Sequence, residues 1–99
     1  MHFKEIQSKV MKHAKAYEKK YKVKIDEEFA MIKIVEEVGE FAQAVLIHKH
    51  KSRPEKFVPK KESLEHIAEE LSDVVGMALV NADLLGIDLE KALKKKWID

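Results

Sequence analysis

Turn-forming residues are scarce in this chain. Its 99 residues include only three glycines and two prolines, while 45% are hydrophobic and 37% are charged. A domain of short β-strands needs glycine and proline at frequent turns, whereas long helices need few of them. A disordered chain would carry fewer apolar residues. The composition therefore predicts one all-α domain over residues 1–99.

Apolar residues recur at spacings of three and four along four segments, which is typical of amphipathic helices. The first predicted helix runs from His2 to about Lys20. The second follows Asp26, whose carboxylate suits an N-cap, and runs to about His50. The basic segment 48–61 contains both prolines and is predicted to be the one substantial loop.

The second half of the chain has its own start and stop signals. Ser63 is predicted to cap the third helix, which continues to Leu85. Gly86 is well placed to end that helix, because glycine adopts the left-handed conformation without strain. Asp88 is predicted to cap a short fourth helix with the sequence LEKALKKKW.

The second and third predicted helices are apolar on more than one side. A helix of this kind is usually covered on both sides, and four helices in 99 residues cannot cover one another that fully within one chain. We therefore predict a homodimer or a homotetramer built as a dimer of dimers. The main apolar stripe of the second helix comprises Met31, Ile34, Val35, Val38, Phe41, Ala42, Val45 and Leu46. The main apolar stripe of the third helix comprises Leu64, Ile67, Leu71, Val74, Val75, Ala78, Ala82 and Leu85.

Two acidic pairs stand on these helices, Glu37 with Glu40 and Glu70 with Asp73. Residues three apart share one helical face. If the two helices pack antiparallel, the pairs can face each other across a groove, where four carboxylates repel one another unless cations lie between them. Oxygen ligands favour hard divalent ions, so the pattern suggests Mg²⁺ or Mn²⁺.

The same acids have a simpler interpretation. A pair of carboxylates on a helix is usually a solvated face, commonly balanced by lysines one turn away. Here only Lys33 is available to the first pair, and the surroundings are largely apolar. Spacing and composition alone leave the metal site and the solvated face both open.

A longer sequence pattern bears on the choice between a metal site and a solvated face. EEVGE, a loop, and EELSD followed by VVGMALVNADLLGIDLEKAL resemble the signature of the MazG-type nucleotide pyrophosphohydrolases, from about Asp26 to Lys96. The resemblance implies an all-α dimeric helical bundle with two long antiparallel central helices. It also implies Mg²⁺-dependent hydrolysis of nucleoside triphosphates between the α and β phosphates. The related phosphoribosyl-ATP pyrophosphohydrolases share the acid pattern.

The resemblance also assigns roles by position. It implies metal ligands at four acidic positions, Glu37, Glu40, Glu70 and Asp73. Two neighbouring acids match positions that would support ligands or orient water, Glu36 and Glu69. Independently of the resemblance, positive charge and location make three basic residues candidates for phosphate binding, Lys33, Arg53 and Lys96.

Other classes of function are disfavoured. A formal net charge of +1 lacks the basic excess of a nucleic-acid-binding protein. The chain shows neither a signal-peptide core nor an apolar run of the roughly 20 residues that a membrane span needs. These features predict a soluble cytoplasmic protein. Two alternatives stay open: a phosphoribosyl-ATP pyrophosphohydrolase-like enzyme, and a non-catalytic helical dimer that retains the acids.

Overall fold

A computed structural model describes all 99 residues and contains helices, turns and loops but no strand. The all-α prediction is confirmed. None of the helices combines the length and apolar character that a bilayer crossing requires. The helices are α1 (Phe3–Tyr21), α2 (Glu27–His48), α3 (Lys60–Leu85) and α4 (Leu89–Leu93), with a 3₁₀ turn at Pro54–Lys56 and a π-helical turn at Lys94–Ile98.

Three predicted helix ends are confirmed by their hydrogen bonds or backbone conformation. The Asp26 carboxylate accepts a hydrogen bond from the Phe29 amide at 2.9 Å, so it caps α2. The Asp88 carboxylate accepts one from the Lys91 amide at 3.1 Å and caps α4. Gly86 ends α3 with a φ of 70°, in the left-handed region that glycine tolerates best.

The predicted start of α3 at Ser63 is wrong. The helix begins at Lys60, directly after Pro59, and the Ser63 amide already donates to the Pro59 carbonyl at 3.0 Å. The Ser63 hydroxyl donates to the Lys60 carbonyl at 3.0 Å and lies 2.6 Å from His48 Nδ1 at the end of α2. Because this hydroxyl is buried against α2, its partners are inside the hairpin and it does not cap a helix.

Helices α2 and α3 form an antiparallel hairpin, as predicted. Near one end, the Asn81 side-chain amide donates to the Ala30 carbonyl at 2.9 Å. Near the other end, His48 meets Ser63. Helix α1 packs against α3, and an ion pair of 2.8 Å between Lys4 and Asp88 joins α1 to the start of α4.

The core of a single chain is small. Three of its five buried apolar residues are alanine, and no large side chain is completely buried. The accessible surface of 7720 Å² is about 1,900 Å² more than a globular monomer of 11.5 kDa typically exposes. The buried apolar residues are Ala30, Ala44, Leu79, Val80 and Ala82.

Candidate metal centre

The pairing of α2 with α3 brings three of the predicted acids together. Glu37 on α2 and Glu70 and Asp73 on α3 each offer a carboxylate oxygen, and these oxygens lie within 4.8 Å of one another. Ligands of a single Mg²⁺ ion lie about 4.2 Å apart at most, at metal–oxygen distances of about 2.1 Å. The three oxygens therefore lie close to the spacing that a shared cation requires.

The burial of Glu37 and the partial burial of Glu70 leave donor atoms of a kind that suits a cation. The Glu37 side chain is only 10% exposed and the Glu70 side chain 17%. In both, Oε2 is buried and has no hydrogen-bond partner. Buried carboxylate oxygens normally have partners, because leaving one unsatisfied is costly. Two such oxygens beside a third carboxylate match the needs of a hard divalent ion.

The other oxygen of each glutamate is engaged. Lys33 Nζ lies 3.7 Å from Glu37 Oε1, and His66 Nε2 lies 3.1 Å from Glu70 Oε1. Each partner stands four residues before its glutamate on the same helix. Lys33 also makes a shorter contact of 2.7 Å with Glu36.

The electrostatics of the cluster are unfavourable when no cation is bound. Burial raises the pKa of Glu37, and the carboxylates of Glu40 and Asp73 raise it further, while Lys33 acts in the opposite direction. The pKa of Lys33 is also raised, chiefly by its hydrogen bond with Glu36. The Glu37 carboxylate is therefore held in a place that disfavours its charged form.

Glu40 occupies a different position from the other three predicted ligands. It is exposed and lies beside Glu37 on α2, outside the group of three mutually close carboxylates. The structure therefore brings together one acid from α2 and two from α3, with Glu40 at the edge.

The remaining predicted residues are spread more widely. Glu36 and Glu69 are exposed, and only Glu36 has an ion-pair partner. Arg53 pairs with Glu55 at 3.3 Å in the α2–α3 loop, and Lys96 lies in the C-terminal π-helical turn. Neither basic residue lines the cavity beside the acids, whereas Lys33 does.

A cavity of about 340 Å³ borders the acidic cluster. Glu37, Asp73 and Lys33 form its polar edge. Its other walls come from α1, α2 and α3, and sequence reasoning missed the α1 contribution. The apolar stripe of α1 indicated packing, but nothing local to α1 indicated that part of it faces open space. The α1 residues at the cavity are Val10, His13, Ala14 and Tyr17.

The all-helical architecture is consistent with the fold of the MazG-like all-α nucleoside triphosphate pyrophosphatase superfamily, which includes the phosphoribosyl-ATP pyrophosphohydrolase family. Within it, the model of the phosphoribosyl-ATP pyrophosphohydrolase family matches residues 4–95, so the chain belongs to that family. The family name describes hydrolysis that releases pyrophosphate, which agrees with the predicted reaction class.

One curated relative is the uncharacterized protein YvdC of Bacillus subtilis (strain 168). It is 36% identical over 63 residues, which is 62% of this chain and 59% of the relative. The match thus spans about three fifths of that protein's length. No solved structure matches the chain.

Proposed function

We propose that the protein is a Mg²⁺-dependent pyrophosphohydrolase of the cytoplasmic nucleotide pool. It would cleave a nucleoside or deoxynucleoside triphosphate between the α and β phosphates and release pyrophosphate. The observation that carries this proposal is the pair of buried, unpartnered oxygens on Glu37 and Glu70, two glutamates whose carboxylates cluster with that of Asp73. Glu37 and Asp73 also line a cavity. Mn²⁺ is expected to substitute for Mg²⁺, because both prefer oxygen ligands.

The acidic residues of the two motifs have different roles in the proposed reaction. Glu37, Glu70 and Asp73 hold the metal, and Glu40 completes the site from the edge of the cluster. Magnesium, when bound, would neutralise phosphate charge and provide a nucleophile near neutral pH. Glu69 is exposed and without an ion-pair partner, so its carboxylate is free to orient water. Glu36 holds the Lys33 amine at 2.7 Å.

The cavity suits the nucleoside part of the substrate. Its polar edge is the acidic cluster, where the metal-bound triphosphate would lie, and its interior is lined by apolar and aromatic side chains. Tyr17 and Phe29 offer ring surfaces for contact with a base. Lys33 lies at the same edge and is the basic residue best placed to approach a phosphate, whereas Arg53 and Lys96 would need a second chain to bring them there.

Phosphoribosyl-ATP is the second candidate substrate, and the family match over residues 4–95 favours it. It carries the same triphosphate chain, so the acidic cluster serves either substrate equally. Pyrophosphate release should be measured from phosphoribosyl-ATP and from a panel of canonical and modified nucleotides, each with Mg²⁺. Faster release from simple nucleotides supports the MazG-type assignment. Preference for phosphoribosyl-ATP assigns the family's named reaction, and release from none supports a non-catalytic dimer that binds metal.

We also propose that the protein is a homo-oligomer, either a dimer or a dimer of dimers. The side chains of Met31, Val35 and Val38 on α2 are 58%, 68% and 47% exposed, and Leu71 and Val75 on α3 are 45% and 54% exposed. By their helical angles, these residues lie on the side of the hairpin away from the cavity. The excess surface of about 1,900 Å² exceeds the roughly 800 Å² that each partner buries in a standard interface.

A second copy of the chain is the occupant that this surface fits best. Each copy would then cover the apolar hairpin face of the other and supply the core that one chain lacks. Sedimentation at micromolar concentration should show a species of at least twice 11.5 kDa. Val35→Glu would place a charge in the interface and shift the protein towards monomer, whereas Lys61→Glu on exposed α3 surface should not. A wild-type protein that sediments only as a monomer contradicts this proposal.

A further inference from the structure

Two glutamates of the acidic cluster, Glu37 and Glu70, each have a basic side chain beside one carboxylate oxygen. Glu70 Oε1 is contacted by His66 Nε2 at 3.1 Å, and Glu37 Oε1 by Lys33 Nζ at 3.7 Å. In each, the second oxygen is buried and has no partner. Both supporting side chains stand one helical turn before their glutamate, on different helices. Only the His66 contact is within hydrogen-bond distance, since the Lys33 amine makes its hydrogen bond to Glu36 at 2.7 Å.

The terminal torsion of a glutamate side chain is broad, so the side chain itself does not fix where either oxygen points. A donor at the preceding turn removes this freedom, because it holds one oxygen and thereby sets the direction of the other. His66 can do this as the neutral Nε2–H tautomer or as the imidazolium, since both present an N–H group at Nε2. Contacts of this kind around ligand side chains commonly raise metal affinity by about 10- to 100-fold.

We infer that His66 is a positioning residue for Glu70, which it holds by Oε1 so that Oε2 is presented to a divalent cation. Lys33 lies 3.7 Å from Glu37 but makes its hydrogen bond to Glu36. The His66 contact is therefore the cleaner one to test. The inference rests on the proposed metal site, and it adds a residue that lies outside both acidic motifs.

An ordinary surface pair explains the contact less well. An exposed pair at a spacing of four acts mainly on the local stability of its own helix. Glu70 is only 17% exposed, while His66 is 47% exposed and reaches in from the side. The contact gives Glu70 Oε1 a hydrogen-bond partner, whereas Oε2 is buried and has none.

The test is Mn²⁺ binding by the full chain without substrate, followed by the electron paramagnetic resonance signal of free Mn²⁺. His66→Leu keeps an apolar side chain of similar size but removes the donor, and should weaken binding at least about tenfold. His66→Gln can donate an amide N–H to a carboxylate four residues on, so it should restore most of the affinity. Lys61→Met, on the same helix and without an ion pair, should bind as the wild type does.

A double-mutant cycle shows whether His66 acts through Glu70. In a Glu70→Gln background, His66→Leu should cause no further loss of Mn²⁺ affinity, because the side chain that it positions has lost its charge. Melting of the metal-free variants by circular dichroism reports folding separately. Equal losses from His66→Leu and His66→Gln, or additive losses in the cycle, would overturn the inference.

Different results would contradict the proposed metal site and the positioning role of His66. If Glu70→Gln binds Mn²⁺ like the wild type, the metal site itself is wrong and the inference falls with it. If Glu70→Gln weakens binding but His66→Leu does not, the metal site stands and only the positioning role is overturned.

Discussion

The two acidic pairs look alike in sequence, yet they differ in the folded chain. Both acids of the α3 pair, Glu70 and Asp73, join the cluster, but only Glu37 of the α2 pair does so. On α2, the buried residues Ala30, Glu37 and Ala44 are seven apart and define the line that faces α3. Glu40 lies about 60° away from that line around the helix. Equal spacing within a motif therefore does not give equal placement when the partner helix is contacted along one line.

The largest expected effect is the loss of turnover when one acid of the α3 pair is substituted. Asp73→Asn keeps the side-chain shape but removes a charge from the cluster. Mg²⁺-dependent pyrophosphate release should fall at least about 100-fold, equivalent to about 2.7 kcal/mol of transition-state stabilisation. Steady-state assays at saturating Mg²⁺ measure it. Glu28→Gln, in the first turn of α2 and outside both motifs, is the control, and an equal loss from it would contradict the assignment of the site.

Metal binding should also stabilise the fold in the absence of substrate. A cation that binds only the folded state adds about 2.7 kcal/mol to the free energy of unfolding at a hundredfold excess over Kd. Thermal melts with MgCl₂ should therefore show a rising melting temperature, compared with NaCl at matched ionic strength, which only screens repulsion. Glu70→Gln should lose most of this magnesium-specific shift. Equal shifts in both salts would identify the acids as a solvated face.

The two members of the α2 pair should respond differently to the same change. Glu37→Gln removes a buried member of the cluster and should reduce turnover about as much as Asp73→Asn. Glu40→Gln removes an exposed carboxylate at the edge and should cost about tenfold, or about 1.4 kcal/mol. Parallel kcat and KM measurements on the two variants compare them directly. Equal losses would mean that the bound metal draws Glu40 fully into the cluster.

The smallest expected effect is on the pH dependence of metal-free stability. The pKa of Glu37 is raised in the folded state by burial, with Glu40 and Asp73 adding to the rise. Between the unfolded and folded pKa values the native state binds more protons, so the free energy of unfolding increases as pH falls through the folded pKa. This gain is complete below the unfolded pKa of about 4.3. Urea melts from pH 7 down to the unfolded pKa of about 4.3 should show it.

The control for this effect is Glu37→Gln, which should flatten that part of the pH profile. Saturating Mg²⁺ should flatten it too, because a bound cation favours the ionised carboxylate. A wild-type profile that falls steadily from pH 7 to pH 5, with or without the Gln substitution, would contradict the proposed strain at Glu37.

Much of this protein can be predicted from its sequence, because the signals involved are local. Helix periodicity, the Asp26 and Asp88 caps and the Gly86 terminus each depend on a few neighbouring residues, and the structure confirms them. Ser63 shows where local rules fail. Its chemistry suits a cap, but the hydroxyl is buried against His48, which lies 15 residues away in sequence.

The tertiary structure decided which of the local features meet. The sequence alone shows the acids as two pairs. The register of α2 against α3 determines that Glu37, Glu70 and Asp73 converge, while Glu40 lies at the edge of the cluster. That register depends on contacts across the hairpin, such as the one from Asn81 to Ala30. The unpartnered oxygens and the wall that α1 adds to the cavity likewise have no local signal. They arise from packing between distant segments, whereas periodicity and capping act over a single turn of helix.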